Sequence, residues 1–199
     1  MTIDKELFGL LAVALTIISY IPYFHGIRKG TIKPHAFSWL LWSLITGISY
    51  MAQTSAGSGP GAWAAGISTF LTLSVAIASL KYGEKNITRS DWVVFIAGLS
   101  AIPAWILTDN PLWSVVIVSA IDTVGYIPTI RKSWSKPTEE GFSRYTLSSV
   151  NKVLSLLAIE VFIVTTWLHT ATILLMNIVL LTVMLYRRHV LRKGVVHAA

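Results

Sequence analysis

Four residues able to do chemistry lie inside long apolar runs: Asp122, Asn151, Lys152 and Asn177. An ionisable side chain at mid-bilayer costs about 2.5–3.5 kcal/mol on insertion scales, so neither Asp122 nor Lys152 is expected to face lipid. Two arrangements would satisfy them. They pair with each other and hold two helices together, or one or both line a polar path and take part in proton coupling. Ser148, Asn151, Lys152 and Ser155 are spaced so that they share one side of a helix, and Tyr145 extends that side. Trp42 shares a face with Thr46 and could stack on a ring of a bound solute. Trp39, nearer the end of its run, reads as an interfacial belt residue, as do Trp63, Trp92, Trp113 and Trp167 at other run ends.

This chemistry is recognition rather than bond-making. An acid, an amine and two amides suit a zwitterionic or anionic solute better than a neutral sugar. His25, His35 and His169 lie near run ends, and no spacing suggests a metal site. No nucleophile–base pair is evident. The reading is therefore not an enzyme, with no cofactor and no metal.

The elements that must position these residues follow from composition. Hydrophobic residues make up 54% of the chain, charged residues 13%, and mean hydropathy is +0.65, which disfavours a water-soluble fold. Seven apolar segments can be drawn, at 7–24, 37–54, 62–82, 92–108, 112–130, 143–162 and 170–188. Runs of about 17–22 residues match the hydrocarbon thickness. A backbone in lipid must satisfy its own hydrogen bonds, so they are expected to be helices. Of the 16 Lys and Arg residues, 14 cluster at alternate segment ends, among them Arg28, Lys81, Arg131 and Arg187. The positive-inside rule then sets the N-terminus outside and the C-terminus in the cytoplasm. The net charge of +7 reports topology and contact with anionic lipid. No nucleic-acid partner is expected, because no soluble domain is left to carry a basic face.

The chain also contains an internal repeat. Tyr126-Ile127-Pro128 opens a stretch running through Arg131-Lys132 and Lys136-Pro137 to Phe142-Ser143. Tyr20-Ile21-Pro22 opens a similar one through Arg28-Lys29 and Lys33-Pro34 to Phe37-Ser38. Aligning the copies sets Thr16 opposite Asp122, Thr46-Gly47 opposite Asn151-Lys152, and Thr69 opposite Asn177. The expected plan is three helices, one linking helix and three helices. The odd linker lets both triplets point the same way, related by an axis along the membrane normal. The expected divisions are 1–83 for the first repeat, 84–110 for the inner loop and linking helix, 111–190 for the second repeat, and 191–199 for a cytoplasmic tail. Pro22 and Pro128 each remove a backbone hydrogen bond near the inner end and are expected to act as hinges.

The stretch YIPTIRKSWSKPTEEGFS resembles the PQ-loop motif of the SWEET, semiSWEET and PQ-loop superfamily of membrane transporters. Thr129 and Tyr23 stand where that motif has Gln. The Trp39/Trp42 pair is similar to one in Pnu-type vitamin transporters of the same fold. The resemblance implies alternating access around a midplane site between the repeats, moving a sugar, vitamin, nucleoside or amino acid. It implies that Asn177 contacts substrate, with Thr69 approximating the partner Asn. Asn177, Asn151, Lys152, Asp122, Trp42, Ser148 and Thr69 form the expected substrate site. The expected setting is an integral multi-pass cell membrane protein (the inner membrane if the source is Gram-negative), compatible with homo-oligomerisation and proton coupling. A receptor of the same fold, similar in architecture to the KDEL receptors, is the alternative. It would bind its ligand without translocating it.

Overall fold

The computed structural model describes residues 4–93, 95–96, 99, 103 and 110–196. The segment expected at 92–108 lies largely outside the described residues. Among those residues the chain is all helical: α1 (Lys5–Arg28), α2 (Ala36–Ser55), a 3-10 turn (Gly59–Ala62), α3 (Trp63–Tyr82), α4 (Pro111–Ser135), α5 (Phe142–Leu157) and α6 (Val164–Val196). Local signals set the starts. The Asp4 side chain accepts from the Leu7 N–H ahead of α1, and the Asn110 side chain accepts from the Leu112 N–H with Pro111 in the first turn of α4.

Among the described residues four helices are long and apolar enough to cross a membrane: Lys5–Arg28, Gly59–Tyr82, Pro111–Ser135 and Val164–Arg192. The segment expected at 143–162 is shorter as a helix. α5 stops at Leu157 after 16 residues, about 24 Å at 1.5 Å per residue. The next residues turn inward: Ala158 and Ile159 are buried, and the Glu160 N–H bonds to the Ser58 carbonyl at 3.3 Å, outside the helix ladder.

The helices are inverted relative to a water-soluble bundle. α5 buries Tyr145, Ser148, Asn151, Lys152 and Ser155 and exposes Val150, Val153 and Leu157. Large apolar side chains also cover the outside of the long helices, with Ile21 63% and Phe70 72% exposed. Burying polar groups while exposing aliphatic ones is stable only where the surroundings are apolar.

α3 packs against both α1 and α2, and α6 against both α4 and α5. Contacts of α1 with α5 and of α2 with α4 close the six helices into a ring. The first three helices make one group and the last three another. Contacts between the groups occur at both ends of the ring. At one end the Lys33 N–H donates to the Glu139 carbonyl at 3.2 Å, and the Lys33 ammonium lies 3.2 Å from Glu139 Oε1. At the other end the Glu160–Ser58 bond joins the groups, and Gly61 lies so close to Ile159 that an added Cβ would meet the Ile159 Cα at 3.0 Å.

Candidate functional site

Inside the ring lies a cavity with about 50 Å³ open to the centre of a water molecule; a single water needs about 10–15 Å³ on that measure. Five of the helices lend it polar or aromatic side chains at regular helical spacings. α1 supplies Thr16 and Tyr20, α4 supplies Asp122 and Tyr126, and each pair is four residues apart. α2 supplies Trp39, Trp42 and Thr46, and α5 supplies Tyr145, Ser148 and Lys152, both spaced three then four. α3 supplies Ser68 and Thr72, and the sixth helix, α6, supplies Ile173 and Asn177. Ser19, Arg144 and Asn151 complete the wall.

The amides are fixed by bonds between helices. Asn177 Nδ2 donates to Ser148 Oγ at 3.0 Å, and the Tyr126 hydroxyl donates to Asn177 Oδ1 at 2.8 Å, tying α4, α5 and α6 together. Asn151 Nδ2 donates to Thr16 Oγ1 at 2.8 Å and to the Ala12 carbonyl, tying α5 to α1. The charged residues are arranged differently from the simplest expectation. No Asp122–Lys152 ion pair forms. Asp122 Oδ2 instead lies 3.6 Å from His169 Nε2, both side chains almost wholly buried. Among the described residues Lys152 is 6% exposed and makes no hydrogen bond or ion pair, so its ammonium is left to the cavity.

Trp42 stands against the cavity, its ring 4.8 Å from that of Tyr126. The close approach is permitted by Gly125, where a Cβ would meet Trp42 Nε1 at 3.3 Å. Trp39 corrects the sequence expectation of an interfacial anchor. It is 1% exposed, with its ring 5.1 Å from Trp42 and 5.2 Å from Tyr23. The two lie in neighbouring turns of α2, so one face carries both inward. Trp63, Trp92 and Trp113 are exposed.

Thr69 stands apart from the cavity. Its hydroxyl donates to the Ala65 carbonyl at 3.0 Å, and its methyl packs over Gly47. Ser68 and Thr72 occupy the wall instead. The alignment of the third helices has no motif to set its register, and the packing of α3 is what turns Ser68 and Thr72 to the cavity. Arg144, one of the basic residues counted for topology, stands four residues before Ser148 and eight before Lys152, on the same helix face. Tyr20 and Tyr126, which open the two repeat stretches, also line the cavity. His169, near a segment end in the sequence, turns inward to Asp122.

The end bearing the basic turns is closed by a buried latch. Lys132 of α4 meets Glu140 Oε2 at 2.5 Å and also donates to the Lys33 and Glu139 carbonyls. The Tyr23 and Tyr145 hydroxyls both donate to Glu140 Oε1, at 2.7 and 3.3 Å. Around the latch, Lys136 pairs with Glu84 at 3.0 Å and Arg131 with Asp91 at 2.6 Å. Burial pushes the Glu84 carboxyl up, but the Asn86 N–H and Lys136 outweigh it and hold Glu84 at about 2. Burial likewise raises Asp91, and the Thr88 hydrogen bonds, His35 and Arg131 more than reverse it. Burial lowers His35, which lies 3.4 Å from Asp91.

Pro22 and Pro128 both lie inside unbroken helices, Pro22 exposed and Pro128 buried. Next to Pro128, the Thr129 hydroxyl donates to Ser38 Oγ at 3.0 Å, and Ser38 donates to the Gly125 carbonyl at 2.8 Å.

Fold and site define a helical protein with an apolar exterior, membrane-length helices and a polar cavity closed at the basic end. No protein-family model, curated protein or solved structure matches the chain.

Proposed function

We propose that this protein is a SWEET-like transporter that moves a small polar solute by alternating access between two three-helix repeats. One observation carries the reading: the two groups line a single cavity with matching side-chain spacings. Thr16/Tyr20 correspond to Asp122/Tyr126, Trp39/Trp42/Thr46 to Tyr145/Ser148/Lys152 in a register one residue from the Phe37-Ser38/Phe142-Ser143 alignment, and Ser68/Thr72 to Ile173/Asn177. The helix neighbours correspond as well. Exchanging α1 with α4, α2 with α5 and α3 with α6 leaves the set of principal packings unchanged. This is what an axis along the membrane normal would produce. In this reading α2, α5 and the 92–108 segment also span, giving seven passes with the N-terminus outside and the basic turns in the cytoplasm.

The closures support alternating access. Lys33–Glu139, Lys132 on the Lys33 carbonyl and Tyr23 on Glu140 couple the groups at the basic end, and Ser58–Glu160 couples them at the other. A transporter must break one set while keeping the other. Pro22 and Pro128 sit beside the residues that hold the basic end, Tyr23 on Glu140 and Thr129 on Ser38, and would let α1 and α4 bend there. Asn177, Asn151, Lys152, Asp122, Trp42 and Ser148 form the solute site, joined by Arg144 and Thr72.

Solute counterflow in proteoliposomes tests this. Exchange of a labelled solute that is abolished in Asn177→Leu and Lys152→Ala is the expected result. A Lys152→Ala protein with normal exchange would remove that residue from the site. Tight binding with no counterflow would favour a non-translocating receptor of the same fold.

A further inference from the structure

We propose that the solute held in this cavity is a small organic anion, its carboxylate received between Lys152 and Arg144. The inference rests on the transporter site described above and narrows its ligand class. It follows from a count of hydrogen-bonding groups left over once the protein has satisfied its own.

The leftovers are mainly donors. Lys152 Nζ has no acceptor among the described residues, and neither has buried Arg144 Nε. The Arg144 guanidinium lies over the Tyr20 ring, 4.0 Å from its centroid, which leaves its edges available for an acceptor. The Tyr20 hydroxyl, Trp39 Nε1 and Trp42 Nε1 are likewise buried with no partner. Each belongs to a residue of the cavity wall. Buried polar groups are almost always paired, and a set of five unmatched donors calls for an acceptor-rich ligand.

The acceptor side is largely spent. Asn177 Oδ1 takes the Tyr126 hydroxyl, and Ser148 Oγ takes Asn177. Thr16 Oγ1 takes Asn151. Asp122 is the exception, since among the described residues neither of its oxygens accepts a hydrogen bond, and Oδ2 faces His169 at 3.6 Å. The charged groups around the space are thus two cations of α5 against one carboxylate that has a histidine beside it. A cationic solute would meet Lys152 and Arg144 with a single carboxylate to offset them. A neutral polyol would leave both cations unpaired, and an uncompensated buried charge is the costliest arrangement available. A carboxylate matches the guanidinium fork and the ammonium together. The small volume limits the remainder to a few atoms above the Trp42 ring.

The experiment is a thermal-shift and competition study on the purified full-length protein. Lactate, pyruvate and glutamate are compared with lactamide, glucose and choline at equal ionic strength. Carboxylates are expected to raise the melting temperature and the others to leave it unchanged. Lys152→Met and Arg144→Gln should each weaken carboxylate binding by about 10-fold to 100-fold, the range for hydrogen bonds to charged groups. Lys152→Arg should recover most of it. Each variant's melting temperature without ligand separates a folding defect from a lost contact. Stabilisation by lactamide or glucose equal to that by lactate would overturn the proposal. So would a carboxylate shift that survives in Lys152→Met and Arg144→Gln, or the absence of a shift with every carboxylate. Carboxylate binding without counterflow would sink the transport reading and leave this one standing. Counterflow of a neutral solute with no carboxylate binding would do the reverse.

Discussion

Lys132 and Glu140 form an ion pair of 2.5 Å, their side chains 3% and 0% exposed, where the two helix groups meet at the basic end. Glu140 also receives Tyr23 from the first group and Tyr145 from the second. A Cβ at Gly141 would come within 2.5 Å of the Tyr23 ring, so the glycine is what admits that ring to the latch.

Removing one partner of a buried pair leaves an uncompensated charge, at a cost of about 3–5 kcal/mol. Lys132→Met and Glu140→Gln should each lower stability by that order, and the double variant by less than the sum. The chain has no cysteine, so a single Thr46→Cys reports access to the cavity. Maleimide should reach it slowly in the parent and faster, from the side of the basic turns, in Glu140→Gln. Equal labelling rates would show that the pair does not close that end.

Glu84 provides a pH test away from the membrane. Its folded value is about 2 against an ordinary 4.5. A carboxylate with a depressed folded pKa stabilises fully above its unfolded value and loses that contribution as pH falls through the folded one. Lys136→Met removes one of the causes. Its melting temperature should lie below the parent's at pH 7, and the gap should narrow between about pH 4.5 and 2. A constant gap across that window would contradict the assignment.

Thr72 lines the cavity and Thr69 does not. Thr69→Val should therefore leave solute affinity near the parent value. Thr72→Val should weaken it by roughly fivefold, the equivalent of one hydrogen bond. Isothermal titration with the solute found by screening distinguishes them, and the reverse order would restore the register suggested by aligning the repeats.

Tyr126→Phe removes one bond to Asn177, whereas Asn177→Leu strands both the Tyr126 and Ser148 hydroxyls. Interhelical bonds in membranes average about 0.6 kcal/mol, with a maximum near 1.7. Tyr126→Phe should fall in that range and Asn177→Leu above it, as read by unfolding in mixed micelles. Equal losses would mean that the two bonds do not act through the amide.

The inward face of α5 was legible because its polar residues follow the helical period: Ser148, Asn151, Lys152 and Ser155 are all buried, as their spacing required. The length of that helix was not. Its last expected residues leave the ladder to bury Ile159 and to bond Ser58 about a hundred residues away. Trp39 illustrates the same limit. Distance from a segment end ranks a tryptophan as an interfacial anchor, but only the neighbours of α2 turn that ring toward Tyr23 and Trp42.

By itself the sequence determined that the chain is helical, that its long helices suit an apolar medium, and that Asp122, Asn151, Lys152 and Asn177 must turn away from that medium. These follow from hydrogen-bond satisfaction, transfer cost and the 3.6-residue period, all local to a segment. Tertiary structure decided which groups meet. It gave Asp122 to His169 rather than to Lys152, brought Arg144 to the cavity wall, chose Thr72 over Thr69, and locked Lys132 to Glu140 beneath Tyr23. A helix's own period sets which residues share a face. The rotation and axial register of that face against its neighbours are set by close packing around the ring.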